Sequence, residues 1–169
     1  EAYAVVDEVE TARRFLVEHD LAGKGVRVSA TDLERLRETR EALRNMLLAN
    51  NDGEVDPAAV ATLNLLADGI ALGARFAPDG TMGLAPRGRG VDAALAAILA
   101  IVFDAVAHDS WSRLKVCRDH ECQWAFYDRS RNRSSQWCVM AVCGNRNKAR
   151  SFRERRREQA GPARVLSGS

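Results

Sequence analysis

At 169 residues the chain can hold one ordinary domain and a small second unit. Its composition, 46% hydrophobic and 28% charged, is typical of a soluble globular protein. The longest apolar run without a charge covers only residues 93–103, which is too short to span a bilayer. The sequence therefore argues against a membrane protein.

The net charge of +2 hides an uneven distribution along the chain. Residues 1–110 carry 11 Lys and Arg against 18 Asp and Glu, whereas residues 111–169 carry 14 against 5. Such asymmetry indicates a polyanion-binding segment joined to a different kind of domain, or a solvated basic tail without a partner. No export signal is evident, so we expect a cytoplasmic protein, although a start at Glu1 leaves a truncated N-terminus open.

Capping and turn signals predict an α-rich first domain over residues 1–112. An amphipathic helix is expected over 8–19, and Thr31 with Glu34 resembles a capping box that opens a helix to about residue 49. Asp56 followed by Pro57 predicts a helix start, with the helix ending near Leu72.

The second half of this domain is predicted to contain a β-hairpin near 73–86, since the sequence at 78–80, Pro-Asp-Gly, favours a tight turn. A helix over 91–108 is apolar nearly all round, and we expect it to be the central helix of the domain.

Arg40 interrupts an otherwise apolar stripe on the second helix, formed by Leu33, Leu36, Leu43 and Leu47. An arginine at such a position either pairs with a carboxylate or faces a pocket that takes an anion. Arg40 is therefore a candidate ligand-binding residue, and a small anionic ligand of the first domain is a candidate partner.

The cysteines form two close pairs, Cys117 with Cys122 and Cys138 with Cys143. Two C-x4-C pairs separated by 15 residues match the pattern of a structural four-cysteine zinc site. Two disulfides, or His120 as a replacement ligand, are the alternatives. A catalytic zinc is disfavoured because four thiolates would leave no open coordination position.

A basic helix is predicted from Asn145, as N-cap, to about residue 159, with Ala149 and Phe152 packed on the zinc module. Arg146, Arg150, Arg153 and Arg157 would fall within about 60° of one another, forming a stripe suited to phosphates and guanine edges. Further candidate nucleic-acid contacts are Lys148, Arg129, Arg131 and Arg133. The alternatives are a solvated helix and a helix docked on an acidic surface.

Residues 113–156 closely resemble the CGNR zinc-finger family, in the cysteine spacing, the "FYDRSRNRSSQWC" lead-in and the Cys-Gly-Asn-Arg at 143–146. The preceding part looks like an ABATE-type domain, without the apolar Asn-Thr segment that usually opens it. The resemblance implies one structural zinc on the four cysteines, and a bacterial, stress-linked regulator of transcription that binds DNA.

The sequence as a whole predicts a mainly α protein: an α-helical domain with one hairpin (1–112), a zinc module with a β-hairpin and basic helix (113–160), and a flexible tail (161–169). We expect a regulator that binds double-stranded DNA, with the first domain as a sensor; a homodimer is left open. The rival is a zinc-stapled module that docks on an acidic protein. No catalytic arrangement stands out, so an enzyme is not expected.

Overall fold

The computed structural model describes residues 8–51 and 53–160. Five helices and two strand pairs follow one another, so the expected mainly α class is confirmed. The helices are α1 (Val9–Glu18), α2 (Ala30–Ala49), α3 (Pro57–Asp68), α4 (Gly90–Ala107) and α5 (Asn145–Ala160). The strands are β1 (Ala71–Phe76), β2 (Met82–Arg87), β3 (Leu114–Val116) and β4 (Ala125–Tyr127). The predicted tail, 161–169, lies outside the described residues.

The core of the first domain lies where α1, α2, α3 and α4 meet. Its buried apolar side chains are Ala12, Leu16, Leu33, Leu36, Leu66, Val91, Ala94 and Leu95. Leu43 and Leu47, predicted on the same stripe as Leu33 and Leu36, are only partly buried and line a cavity instead.

The N-terminus of α2 corrects the predicted capping box. Ser29, not Thr31, is the N-cap, and its hydroxyl accepts the backbone N–H of Asp32 at 3.1 Å. The Asp32 carboxylate accepts the Ser29 backbone N–H in return, at 3.0 Å. The capping box is therefore present, but it lies two residues earlier than predicted and uses Asp in place of Glu.

The start of α3 is as predicted, because Asp56 accepts the Ala58 backbone N–H at 2.9 Å and Pro57 occupies the first helical position. The helix ends at Asp68 rather than near Leu72, because β1 already begins at Ala71. Strands β1 and β2 form the expected antiparallel hairpin. Its turn uses Gly80 at φ 83° and an Asp79 carboxylate that accepts the Thr81 N–H.

Helix α4 is less central than its composition suggested. Its first half is buried at Val91, Ala94 and Leu95, but Ile101 and Phe103 are 60% and 54% exposed. By length and composition α4 is the one helix of 8–51 and 53–160 that could cross a membrane, a test that core helices of soluble proteins also pass.

Candidate metal centre and basic helix

Each zinc-module cysteine is placed by a turn or strand end. Cys117 follows β3, Cys122 closes the turn that leads to β4, and Cys143 lies in a single π-type turn, Met140–Gly144. The β3–β4 hairpin therefore encloses the first cysteine pair, with Lys115 opposite Phe126. Cys117 and Cys143 are buried, and Cys122 and Cys138 are partly buried.

The four Sγ atoms all lie within 4.8 Å of one another. The Cys122–Cys138 and Cys138–Cys143 separations are 3.5 and 3.7 Å. A disulfide needs about 2.05 Å, so the disulfide alternative is wrong. Zn–S bonds of about 2.3 Å in a tetrahedron place sulfurs about 3.8 Å apart, which these distances match. The chain thus carries one structural four-cysteine zinc site, as predicted.

The protein environment does not by itself hold Cys138 and Cys143 as thiolates, whereas at Cys122 burial is outweighed by hydrogen bonds, which lower the pKa. Burial raises the pKa of Cys138 to about 11 and also raises the pKa of Cys143. Both thiols are therefore neutral at pH 7 unless a cation compensates. Zn²⁺ supplies that compensation, so metal binding releases protons and is coupled to folding of the module.

The turn between the first two cysteines is built on Asp119, which sequence reasoning overlooked. The Asp119 carbonyl accepts the N–H groups of Cys122 (2.7 Å) and Gln123 (2.9 Å). Its carboxylate is fully buried and accepts the Glu121 N–H at 3.2 Å. The signal in the sequence is a short polar residue three positions before a cysteine, which is typical of a local turn.

Two arginines of the predicted DNA-binding stripe are joined to this turn. Arg146 lies 3.0 Å from the Asp119 carboxylate and 3.3 Å from that of Glu121. Arg150 lies 3.0 Å from Glu121 and contacts the His120 ring at 3.0–3.1 Å. His120 is therefore not a zinc ligand here but part of the surface on which α5 is anchored.

The first turn of α5 differs from the prediction in detail. Asn145 is the first helical residue, and its amide donates to the Ala141 carbonyl at 3.0 Å instead of capping the helix. Gly144 leaves room for two neighbouring side chains, because an added Cβ would meet Met140 Sδ at 2.3 Å and the Trp137 ring at 3.1 Å. The predicted packing face is wrong: Ala149 is exposed and Phe152 is 55% exposed.

Beyond Arg150 the helix projects its charges into solvent. Arg153 and Arg157 are exposed, together with the neighbouring arginines 155 and 156, and Lys148 is exposed earlier in the helix. Arg153 Nε donates to the Ala149 carbonyl of its own helix, at 3.2 Å.

The loop arginines also divide into two kinds. Arg129 and Arg131 are exposed, whereas Arg133 is partly buried and pairs with the Asp109 carboxylate. Arg133 also donates to the Ser112 hydroxyl at 2.8 Å. Arg133 thereby joins the loop to the segment that leads into the module.

A buried ion pair joins β3 to the residue that follows β4. Lys115 Nζ lies 2.9 Å from Asp128 Oδ2, with side-chain exposures of 5% and 0%. Asp128 also accepts the N–H groups of Ser130 and Ser135, each at 2.9 Å. Burial alone would raise the pKa of Asp128, but these hydrogen bonds outweigh it and hold the pKa below its usual range. The carboxylate is thus ionised and internally satisfied.

Two asparagines at the end of α2 form hydrogen bonds between the first domain and the zinc module. Asn51 is 1% exposed, and its Nδ2 donates to the carbonyls of Val116 (2.9 Å) and Gln136 (3.0 Å). Asn50 Nδ2 donates to the carbonyls of Trp111 (2.8 Å) and Leu114 (3.0 Å). No sequence pattern marked either residue as a connector.

Arg40, the candidate ligand contact, lies on the wall of a cavity between α2 and the zinc module. Its Nε atom also lies 2.8 Å from Glu41 Oε1, so Arg40 both pairs with a carboxylate and lines a cavity, and its role in ligand binding stays a prediction.

Comparison with known families matches the two units separately. Residues 113–156 match the model described as "CGNR zinc finger". Residues 5–109, more than half of the chain, match the ABATE model, described as "Putative stress-induced transcription regulator". The chain belongs to the ABATE family. In this ABATE protein the four cysteines are those of the CGNR finger, as the resemblance implied. A search of curated proteins finds no match.

Proposed function

We propose that this ABATE protein regulates transcription by binding double-stranded DNA through α5, with the zinc site as the anchor of that helix. The observation that carries the proposal is the division of α5 into two parts. Arg146 and Arg150 hold its first turns on Asp119 and Glu121, and residues 151–157 and 159 are exposed to solvent, with four arginines among them.

This division assigns different work to residues that look equivalent in sequence. Arg146 and Arg150 fix the direction of the helix relative to the metal, and Arg153 and Arg157 remain to contact phosphates or base edges. Exposed arginines one to two turns beyond a rigid anchor suit groove recognition, in which phosphate contacts position the helix and a few side chains read bases. Arg129 and Arg131 extend the candidate contact set.

The second candidate is docking on an acidic protein surface. It is favoured by apolar side chains beside the cationic helix: Val139, Met140 and Val142 are about half exposed, as is Phe152. A helix with both cationic and apolar exposed groups also suits an acidic, partly apolar partner. A catalytic role is not proposed, because four thiolates fill the zinc coordination shell.

The deciding experiment is selection of ligands from a random duplex pool by the zinc-loaded protein. The test variant is Arg153→Ala/Arg157→Ala, and the matched control is Arg27→Ala/Arg89→Ala, which removes the same charge from exposed positions of the first domain. We expect an enriched motif with wild type and control, and its loss with the test variant. The plot of log affinity against log salt should become less steep by about 2 in the test variant, because each of the two lost phosphate contacts contributes about 0.9 to the negative slope.

The opposite results are equally informative. Retention of duplexes without a motif would reduce the function to electrostatic binding. No retention at all would refute DNA binding and move the assignment to the acidic-protein partner.

A further inference from the structure

A cavity of about 650 Å³ lies where the first domain meets the zinc module. Its volume is in the range of small-molecule sites. Apolar side chains from α1, α2, α4 and the segment leading into β4 form most of its wall: Phe15, Leu36, Leu43, Leu47, Ile98 and Trp124. Trp124 is 49% exposed and Ile101, at the same wall, is 60% exposed, so the cavity is open to solvent.

The charged groups of the cavity wall have one sign. Among the described residues that line it, Arg40 and Arg44 are charged and none is Asp or Glu. The carboxylate of Glu41, outside the wall, bridges them, at 2.8 Å from Arg40 Nε and 3.0 Å from Arg44 Nε. Cationic groups at the edge of an apolar cleft focus a positive potential into it, which favours an anion with an apolar body.

The floor of the cavity is part of the zinc module. Arg44 Nη1 donates to the Gln123 carbonyl at 3.0 Å, and Gln123 directly follows the zinc ligand Cys122. Gln123 has φ of 46°, in the left-handed region that few non-glycine residues occupy without support. The next carbonyl, of Trp124, accepts the Cys117 N–H at 2.9 Å. A molecule in the cavity would therefore touch the backbone that links two zinc ligands.

We propose that this cavity binds a small amphiphilic carboxylate, with its alkyl or aromatic body between α1, α2 and Trp124 and its head group at Arg40 and Arg44. The binding site stands apart from the DNA-binding proposal. A carboxylate at Arg44 competes with the Gln123 carbonyl and so alters the contact between α2 and the zinc module. Only the effect of this change on α5 and duplex binding rests on the DNA-binding proposal.

The test is calorimetric titration of the zinc-loaded full chain with decanoate and with decanol, each below its aggregation concentration and without DNA. We expect saturable one-to-one binding of decanoate and at least tenfold weaker binding of decanol, because only the carboxylate meets the guanidinium groups. Arg40→Gln should weaken decanoate about tenfold and leave decanol unchanged. The matched control, Arg37→Gln, removes a cation of the same helix that does not line the cavity and should leave both unchanged.

A second variant probes the apolar wall without touching a charge. Ile98→Trp places a larger side chain in the cavity and should abolish binding of both molecules, with thermal unfolding used to verify that each variant is folded. The proposal is overturned if decanoate gives no saturable binding, or if folded Arg40→Gln and Ile98→Trp both bind it as wild type does. Because no DNA is present, these outcomes are independent of whether α5 binds a duplex.

Discussion

Replacement of Asp128 by Asn removes the charge of a carboxylate that accepts three hydrogen bonds in the interior of the zinc module. In the variant one oxygen can still accept the Ser130 N–H, but an NH2 group then faces Lys115 Nζ and the Ser135 N–H, which are both donors. Lys115, only 5% exposed, is left with backbone carbonyls as its partners.

Breaking a buried pair by removing one partner costs about 3–5 kcal/mol, because a buried charge is left uncompensated. Against a total stability of about 5–15 kcal/mol, that is a large fraction. It corresponds to a fall in melting temperature of about 6–20 °C at this chain length. The assay is urea and thermal unfolding of the zinc-loaded protein, followed by tryptophan fluorescence.

Two comparison variants isolate the cause. Lys115→Met should lower the free energy of unfolding less than Asp128→Asn does, because the Asp128 carboxylate still accepts the N–H groups of Ser130 and Ser135. Asp104→Asn, in an exposed pair with His108, should produce no measurable change. A loss below about 1 kcal/mol for Asp128→Asn, or a larger loss for Lys115→Met, would refute the buried-pair reasoning.

Three further outcomes are expected. Asn51→Ala should cost about 1–3 kcal/mol in thermal unfolding, because it removes the side-chain donor of the buried Val116 carbonyl and one of the two donors of the Gln136 carbonyl. The exposed Asn64→Ala should have no effect, and equal melting temperatures for the two variants would contradict this. Ser29→Ala should lower the free energy of unfolding in urea by about 1 kcal/mol, and Thr31→Ala should hardly change it. The reverse order would support Thr31 as the N-cap. Metal analysis should find one zinc per chain, and Cys143→Ser should lower zinc affinity in a chromophoric chelator competition; unchanged affinity would exclude Cys143 as a ligand.

Much of the secondary structure follows from signals within a few residues. The Asp56–Pro57 helix start and the turn at Gly80 are local, because a cap or a turn is satisfied by its immediate neighbours. The errors arose where two local solutions compete. Ser29 and Thr31 each precede an acidic residue by three positions, and in the structure Ser29 has the extended backbone of an N-cap, whereas Thr31 already lies inside α2.

Burial was less predictable than helix position. Composition predicted α4 as a central helix, yet Ile101 and Phe103 are exposed because burial depends on which elements pack against each turn. Likewise, Leu43 and Leu47 continue the stripe of Leu33 and Leu36 but face a cavity, since the zinc module does not fill the space beside them.

The sequence by itself predicted the zinc site, because a closed tetrahedral site takes four ligands, and the number and spacing of the four cysteines can be read along the chain. It also determined that a cationic helix follows. Only the tertiary structure decided what each charge does. Arg146 meets the Asp119 carboxylate, 27 residues earlier, while Arg153 donates to a backbone carbonyl of its own helix. Asn51 donates to Val116 of β3 and to Gln136 before the third cysteine, 65 and 85 residues away. Pairing energy depends on distance in space and on burial, and neither is encoded in the spacing of residues along the chain.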